Sequence, residues 1–152
     1  MSVSDLQALY RDQVLAHAKD PHNFGTLDAD AICADGNNPL CGDKLRVCVR
    51  HYDDILEDIR FEGSGCAISM ASASMMTDLL KGLDADSSRK IIGTVIDMLG
   101  SGVDAKMPSS IMDTPIAALG AARQYPSRIK CATLAWRAVE AALNGQQQTT
   151  TE

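Results

Sequence analysis

Basic residues, aromatic residues and long apolar runs are all scarce in this sequence of 152 residues. The chain has 14 Lys and Arg against 20 Asp and Glu, a formal net charge of −6, and it contains no basic run. Because nucleic-acid binding depends on basic residues that displace counterions from phosphates, this composition argues against a general nucleic-acid binder. No run of 18 apolar residues is present, so the sequence predicts neither a membrane-spanning helix nor a membrane partner.

The N-terminus also lacks the pattern of a secretory signal. Residues 1–13 are polar and amphipathic, without a basic segment followed by an apolar run and a small-residue cleavage site. We therefore expect a cytoplasmic protein. In that reducing compartment cysteines are more often metal ligands, nucleophiles or core residues than disulfide halves.

With one Trp, three Tyr and two Phe, the core must consist mainly of Ala, Leu, Ile, Val and Met. The length predicts a single domain, and a chain of this size can bury roughly two-thirds of its unfolded surface. The predicted core is therefore large enough to hold the fold without disulfides.

Hydrophobic periodicity predicts strands in the first half of the chain and mainly helices in the second. Leu45, Val47 and Val49 alternate with polar residues, which is typical of a half-buried antiparallel strand. Strand-like runs cover residues 30–34, 44–51 and 55–62, and helical spacing covers residues 4–19, 66–81, 87–99, 115–124 and 129–143. We predict an α+β domain over residues 1–145, with a small three-stranded antiparallel sheet covered on one face by helices. Residues 21–25 (PHNFG) are interpreted as a connecting loop, and the polar tail 146–152 as disordered.

The five cysteines fall into two groups by their position in these elements. Cys41, Cys66 and Cys131 lie at or near the ends of predicted elements, where thiols are accessible to ligands. Two of the three lie near predicted helix N-termini, where the helix dipole favours a thiolate. Cys33 and Cys48 lie inside strand-like runs, and we interpret them as packing residues.

Asp43 places a carboxylate close to Cys41 in the sequence. It is two residues from Cys41 at the entry of a strand, where such residues point to the same side. A loop with a buried thiol and a solvated acid is the simpler interpretation of that pair alone. Taken with Cys66 and Cys131, the pair predicts a tetrahedral zinc or iron-type site of three thiolates and one carboxylate, although simple packing of these cysteines remains open.

Histidine is absent from the neighbourhood of these candidate ligands. His17, His22 and His51 all lie elsewhere in the sequence, and four protein ligands would leave no position for a reactive water. The pattern therefore argues against a metal-dependent hydrolase.

Three ordered motifs together resemble the NifU-like (IscU/SufU) family of iron-sulfur cluster assembly proteins. They are NPLCGD (residues 38–43), GSGCAIS (residues 63–69) and RIKCATLAW (residues 128–136). The segments Leu9-Tyr10 and DPHNFG (residues 20–25) are similar to that family as well, so the resemblance extends over residues 6–143. It implies the SufE/NifU-like fold.

Two features indicate the SufU branch of this family. Shorter IscU-type scaffolds have a histidine before the last cysteine, where this chain has Lys130. The interval between Cys66 and Cys131 also holds an extra segment at about residues 100–114, as in the longer SufU proteins.

The resemblance implies a zinc-containing sulfur carrier, closer to a sulfurtransferase than to a conventional enzyme. Its zinc ligands would be Cys41, Asp43, Cys66 and Cys131. Docking of a SufS-type cysteine desulfurase would displace one ligand, so that Cys41 accepts the persulfide sulfur, and Arg128 matches a position that contacts the desulfurase. Sulfur would then pass to downstream iron-sulfur assembly proteins.

Two alternatives remain open at this point. In the first, the same four residues hold a 2Fe-2S cluster that is assembled and transferred, since Asp is a labile cluster ligand. In the second, the chain is a structural zinc domain that mediates protein contacts, which would unfold on zinc removal.

Overall fold

The computed structural model describes residues 3–151, without the side chains of residues 3–7 and of Leu9. The side chains of the first turn of the predicted N-terminal helix, and that of Leu9 in the Leu9-Tyr10 motif, are not described. The helices are α1 (Val3–Lys19), α2 (Ala67–Leu80), α3 (Ala85–Leu99), α4 (Ser109–Met112), α5 (Ile116–Leu119) and α6 (Pro126–Leu143), with a 3₁₀ helix at Gly120–Gln124. The strands are β1 (Ile32–Asn38), β2 (Asp43–Tyr52), β3 (Ile55–Ser64) and β4 (Gln148–Thr150).

One sheet with the strand order β3-β2-β1-β4 forms the base of the fold. β2 pairs antiparallel with both β1 and β3. The alternating residues Leu45, Val47 and Val49 are at most 2% exposed, and their side chains lie in the main hydrophobic core with residues of α1, α2, α3 and α6. The predicted α+β architecture is confirmed. In residues 3–151 no helix has the length and apolarity needed to cross a bilayer.

The sheet has four strands, one more than the sequence predicts. β4 pairs in parallel with Asp35–Asn37 of β1, and the Asp35 backbone N–H donates to the Gln147 carbonyl at 2.9 Å. The predicted disorder of the tail 146–152 is therefore wrong for residues 148–150. A short polar edge strand is held by backbone hydrogen bonds, so it has no apolar pattern that would reveal it.

Cys33 and Cys48 form a disulfide, where the sequence predicts two packing residues. They are directly opposite each other in the β1–β2 pairing. Opposed residues of an antiparallel pair lie close enough for their sulfur atoms to meet. The prediction failed because the strand register that opposes these two residues is not visible in the sequence.

Helix α6 lies across β1 and β2, and α2 packs against both α6 and β3. Buried polar contacts fix the two helices to each other: the Trp136 indole N–H donates to Ser72 Oγ at 2.9 Å, and that hydroxyl donates to the Ala132 carbonyl at 2.6 Å. Cys66 immediately precedes α2 and Cys131 lies in α6. The packing of these helices therefore brings two distant sequence motifs together.

Candidate metal centre

Four separate elements carry the predicted ligands to one end of the sheet. Cys41 lies in the turn between β1 and β2, and Asp43 is the first residue of β2. Cys66 occupies the N-cap position of α2, and Cys131 lies in the second turn of α6. Gly42 has a φ of +72°, a left-handed conformation that reverses the chain between Cys41 and Asp43.

Cys41, Asp43 and Cys131 converge most closely. One ligand atom from each lies within 4.8 Å of the others, and the Sγ atoms of Cys41 and Cys131 are 3.2 Å apart. Cys66 borders this group: its backbone N–H donates to Asp43 Oδ1 at 2.8 Å, and its Sγ lies 3.7 Å from Ser69 Oγ. The structure therefore brings Cys41, Asp43 and Cys131 within ligating range of one another, whereas Cys66 contacts this group through its backbone N–H.

Asn38 orients the two buried members of this group. Its Nδ2 donates to Asp43 Oδ2 at 2.9 Å and lies 3.5 Å from Cys131 Sγ. Its Oδ1 accepts a hydrogen bond from Thr151 Oγ1 at 2.8 Å. This contact keeps the amide nitrogen turned toward Asp43 and Cys131. Asn38 and Asp43 are both fully buried, so these contacts are shielded from water.

A glycine leaves the space that the carboxylate occupies. A Cβ atom at Gly65 would lie 2.7 Å from Asp43 Oδ1 and 3.1 Å from Asp43 Cβ. Any other residue at position 65 would collide with Asp43. The glycine before Cys66 therefore allows the start of α2 to approach β2 closely.

Hydrogen bonds keep Asp43 ionised despite its burial. Burial alone would raise the pKa of this carboxyl group, but the Cys66 N–H and the side chains of Ser69, Asn38 and Cys131 lower it by a larger amount. The net result is an Asp43 pKa below its usual value, so a carboxylate is present at neutral pH.

The pKa of the Cys131 thiol, in contrast to that of Asp43, is raised. Burial raises the pKa of its thiol far above the usual range, and the neighbouring Cys41, Cys66 and Asp43 side chains raise it further. Without a cation, a second negative charge beside Asp43 is unfavourable. A metal ion at this position would supply the missing positive charge.

The donor set fits zinc. With the Cys66 thiol turned toward Cys41, Asp43 and Cys131, three thiols and one carboxylate would provide the four ligands of a closed tetrahedral site, with a net charge of about −2 for bound zinc. Sulfur atoms on a tetrahedral zinc lie about 3.8 Å apart, given zinc–sulfur bonds of about 2.3 Å. The Cys41 and Cys131 sulfurs, 3.2 Å apart, would need to separate by only about half an ångström.

Arg128, the predicted partner contact, lies in the first turn of α6, with its guanidinium 5.0 Å from the centre of the Tyr125 ring. The side chain is exposed, like that of Tyr125. Arg128 also interacts with Tyr10. Burial raises the pKa of the Tyr10 hydroxyl, and the positive charge of Arg128 partly opposes this rise. Arg128 is thus exposed and lies three residues before Cys131 in α6.

Asn38, Ser69 and Tyr10 interact with residues of the site although their sequence positions did not predict this. Asn38 and Ser69 lie inside the motifs that carry the cysteines, which is the only signal that could have indicated them. Ser69 Oγ donates to the Cys131 carbonyl at 3.2 Å and so connects α2 to α6 beside the ligands. Tyr10 comes from α1, and only the tertiary structure places it there.

Comparison with known proteins identifies relatives over most of the chain. The zinc-dependent sulfurtransferase SufU of Bacillus subtilis (strain 168) is 45% identical over 138 residues, which cover 90% of this chain and 90% of that protein. The iron-sulfur cluster assembly scaffold protein IscU of Streptococcus pyogenes serotype M1 is 38% identical over 144 residues, which cover 94% of this chain and 87% of that protein.

Solved structures have the same fold as this chain. A crystal structure of a hypothetical protein matches with a TM-score of 0.81 at 36% identity, covering 91% of this chain and 98% of the other. The N-terminal part of a nitrogen-fixing NifU-like protein from Brucella abortus has the same fold, with a TM-score of 0.75 over 92% of this chain and 95% of the other. The NifU-like N-terminal domain matches residues 9–132. The chain therefore belongs to the NifU-like family of iron-sulfur cluster assembly proteins.

Proposed function

We propose that this protein is a zinc-dependent acceptor of persulfide sulfur from a cysteine desulfurase, and that it passes the sulfur on for iron-sulfur cluster assembly. Cys41, Asp43, Cys66 and Cys131 would hold the zinc ion. Bound zinc would keep the thiols deprotonated and shielded from oxidation. The name of the Bacillus subtilis relative supports this assignment.

The observation that carries the proposal is the difference in exposure among the three free cysteines. Cys41 is exposed, Cys66 is half-buried and Cys131 is buried. A protein partner can therefore reach Cys41 while Asp43 and Cys131 stay enclosed. This arrangement suits a carrier in which one ligand reacts and the others remain in place.

The transfer is a thiol–disulfide type exchange. The Cys41 thiolate attacks the terminal sulfur of the desulfurase persulfide, a new sulfur–sulfur bond forms on Cys41, and the desulfurase cysteine leaves as a thiolate. Sulfur, charge and protons balance without an external oxidant or reductant. A subsequent attack by an acceptor thiol would pass the sulfur downstream by the same chemistry.

The surface around Cys41 is suited to docking of the desulfurase. Leu40, which directly precedes Cys41, is 62% exposed, and Tyr125 is 41% exposed. Arg128 beside Tyr125 offers a guanidinium to an acidic group of the partner. We infer that these exposed apolar and cationic groups contact the desulfurase when Cys41 reacts.

We infer a cytoplasmic location from the function in cluster assembly. Cys41, Cys66 and Cys131 are unpaired, and a reducing compartment preserves them. The Cys33–Cys48 disulfide is the exception, since disulfides are rare in the cytoplasm.

A purely structural zinc site fits the fold less well. The core contains fully buried Trp136, Phe61, Leu45 and Met76. Burial of these side chains supplies the driving force for folding, which a small zinc domain lacks. We therefore expect the metal-free protein to remain folded while it loses sulfur acceptance.

Zinc binding should release protons and strengthen as the pH rises. The Cys131 pKa is raised in the metal-free protein, so its thiol must lose a proton when it binds zinc, whereas Asp43 is already ionised. Each released proton increases the apparent affinity by up to about tenfold per pH unit. Calorimetry in buffers of different ionisation enthalpy measures this release; pH-independent zinc binding would contradict it.

The proposed function is tested by anaerobic purification followed by metal and sulfide analysis and a desulfurase assay. We expect one zinc per chain at the cysteine site, no acid-labile sulfide, and faster desulfurase turnover in the presence of this protein. Iron with acid-labile sulfide would instead indicate a 2Fe-2S scaffold, the function named for the Streptococcus pyogenes relative. Unfolding on zinc removal, measured by circular dichroism, would indicate a structural zinc domain.

A further inference from the structure

A second group of metal-ligating side chains lies far from the cysteines. We propose that His17, His22 and Asp78 bind a divalent transition-metal ion such as zinc or cobalt. His17 comes from the last turn of α1, His22 from the loop that follows it, and Asp78 from the last turn of α2. The loop interpreted from its sequence as a plain connector thus contributes a ligand.

The three side chains already converge. One nitrogen from each imidazole ring and one carboxylate oxygen lie within 4.8 Å of one another. The ring centres of His17 and His22 are 4.6 Å apart with an angle of 46° between the planes, and His22 Nδ1 contacts Asp78 Oδ2. Ligand atoms around a tetrahedral ion are about 3.4 Å apart for bonds of about 2.1 Å, so modest side-chain rotations complete the site.

Surrounding hydrogen bonds hold the ligands in position. Ser74 Oγ accepts from the His22 backbone N–H at 2.8 Å and lies 2.7 Å from His17 Nδ1. Asn23 Nδ2 donates to Asp78 Oδ1 at 3.2 Å and to Thr77 Oγ1 at 2.9 Å. Metal-binding histidines and carboxylates are characteristically supported in this way, through the atoms that do not ligate the ion.

The loop that carries His22 is also fixed on its other side. The Phe61 N–H of β3 donates to the Asn23 carbonyl at 3.2 Å, and the Gly25 N–H donates to the Phe61 carbonyl at 2.8 Å. The His22 backbone therefore lies between α2 and the edge of the sheet. A site held by backbone contacts on both sides loses little conformational freedom when it binds an ion.

Access and charge favour a cation here. The side chains of His22 and Asp78 are 51% and 46% exposed, whereas His17 is 7% exposed, so an ion can reach the group from the side of His22 and Asp78. Two neutral imidazoles and one carboxylate carry a single negative charge. This donor set suits zinc, cobalt or nickel better than magnesium or calcium, and leaves a coordination position for water.

The two metal centres are independent. Asp78 and Cys66 are separated by 12 positions along α2, which corresponds to about 18 Å at the rise of an α-helix. No residue is shared between the two groups. Each site can therefore be removed without altering the ligands of the other.

Equilibrium dialysis of the full chain against Zn²⁺, with zinc measured by elemental analysis, tests this inference. We expect His22→Ala and Asp78→Asn each to bind one equivalent less than the wild type. His51→Ala, which changes an exposed histidine of β2, is the matched control and should bind as much as the wild type. The difference in bound zinc between the wild type and His22→Ala reports on the histidine site, whether or not the cysteine site is filled.

Co²⁺ provides a second readout. When the cysteine site is filled with zinc, added Co²⁺ should bind without a sulfur-to-metal charge-transfer band, and His22→Ala should weaken this binding at least about tenfold. Equal zinc content in wild type, His22→Ala and Asp78→Asn would overturn the inference. So would a sulfur charge-transfer band for the second equivalent, because it would place that ion on cysteine.

Discussion

Replacement of Cys41 by alanine is expected to reduce sulfur acceptance from the desulfurase to background, a loss on the order of 10³-fold or more. Removing the nucleophile removes the atom that forms the new sulfur–sulfur bond, and the enclosed Cys131 cannot replace it. Mass spectrometry of the chain after turnover, which detects the mass of one added sulfur, measures this directly. Acceptance at the wild-type rate by Cys41→Ala would refute the assigned role of Cys41.

The control for this experiment removes cysteines outside the site. The double variant Cys33→Ala/Cys48→Ala eliminates the disulfide between β1 and β2 and leaves Cys41, Cys66 and Cys131 intact. It should accept sulfur and retain zinc like the wild type, although it should unfold more easily. Loss of sulfur acceptance in this variant as well would show that the assay reports general damage to the fold.

Asp43→Ala is expected to release zinc and to destabilise the metal-free protein by about 2–4 kcal/mol. The carboxylate is fully buried, and its removal leaves the Cys66 N–H and the Asn38 amide without their acceptor. Zinc content after dialysis and the free energy of unfolding in urea provide the two measurements. Retention of zinc at the wild-type level would exclude Asp43 as a ligand.

Asp35→Ala is the matched control for this substitution. Asp35 is 55% exposed on β1 and pairs with Arg46 at 3.2 Å. An exposed ion pair of this kind contributes at most about 1 kcal/mol, so zinc content should not change. A comparable loss of zinc from Asp35→Ala would show that the zinc loss of Asp43→Ala results from disturbing the β1–β2 region and not from removing a ligand.

The stability effect of Asp43 should also depend on pH. Its pKa is lowered in the folded protein, so the carboxylate contributes stability above its unfolded-state pKa of about 3.9. That contribution is lost as the pH falls through the lower folded-state value. The difference in unfolding free energy between the metal-free wild type and Asp43→Ala should therefore decrease below about pH 4.

The sequence was most informative where one local pattern determines the structure. The alternation of Leu45, Val47 and Val49 identified the buried face of β2, because side chains of a strand alternate between its two faces. The change to helical spacing after the glycines placed the start of α2 within one residue, at Ala67 rather than Cys66. The convergence of Cys41, Asp43 and Cys131 followed from their motifs and from the resemblance to a family.

Features that depend on distant parts of the chain were not predictable in this way. The pairing of Cys33 with Cys48 depends on strand register, and β4 depends on a partner strand over a hundred residues earlier. The same holds for the second histidine group, whose members His17, His22 and Asp78 come together through the packing of α1 against α2. Each is a consequence of tertiary structure, for which a single sequence provides no periodic signal.

The contact between Thr151 and Asn38 links the behaviour of β4 to that of the metal centre. β4 is a three-residue edge strand, and short edge strands open locally far more often than the core does. Each opening withdraws Thr151 from Asn38 Oδ1 and leaves the amide free to turn its nitrogen away from Asp43 and Cys131. Transient fraying of the C-terminal strand should therefore accelerate metal dissociation, so that amide hydrogen exchange in β4 and the off-rate of zinc vary together.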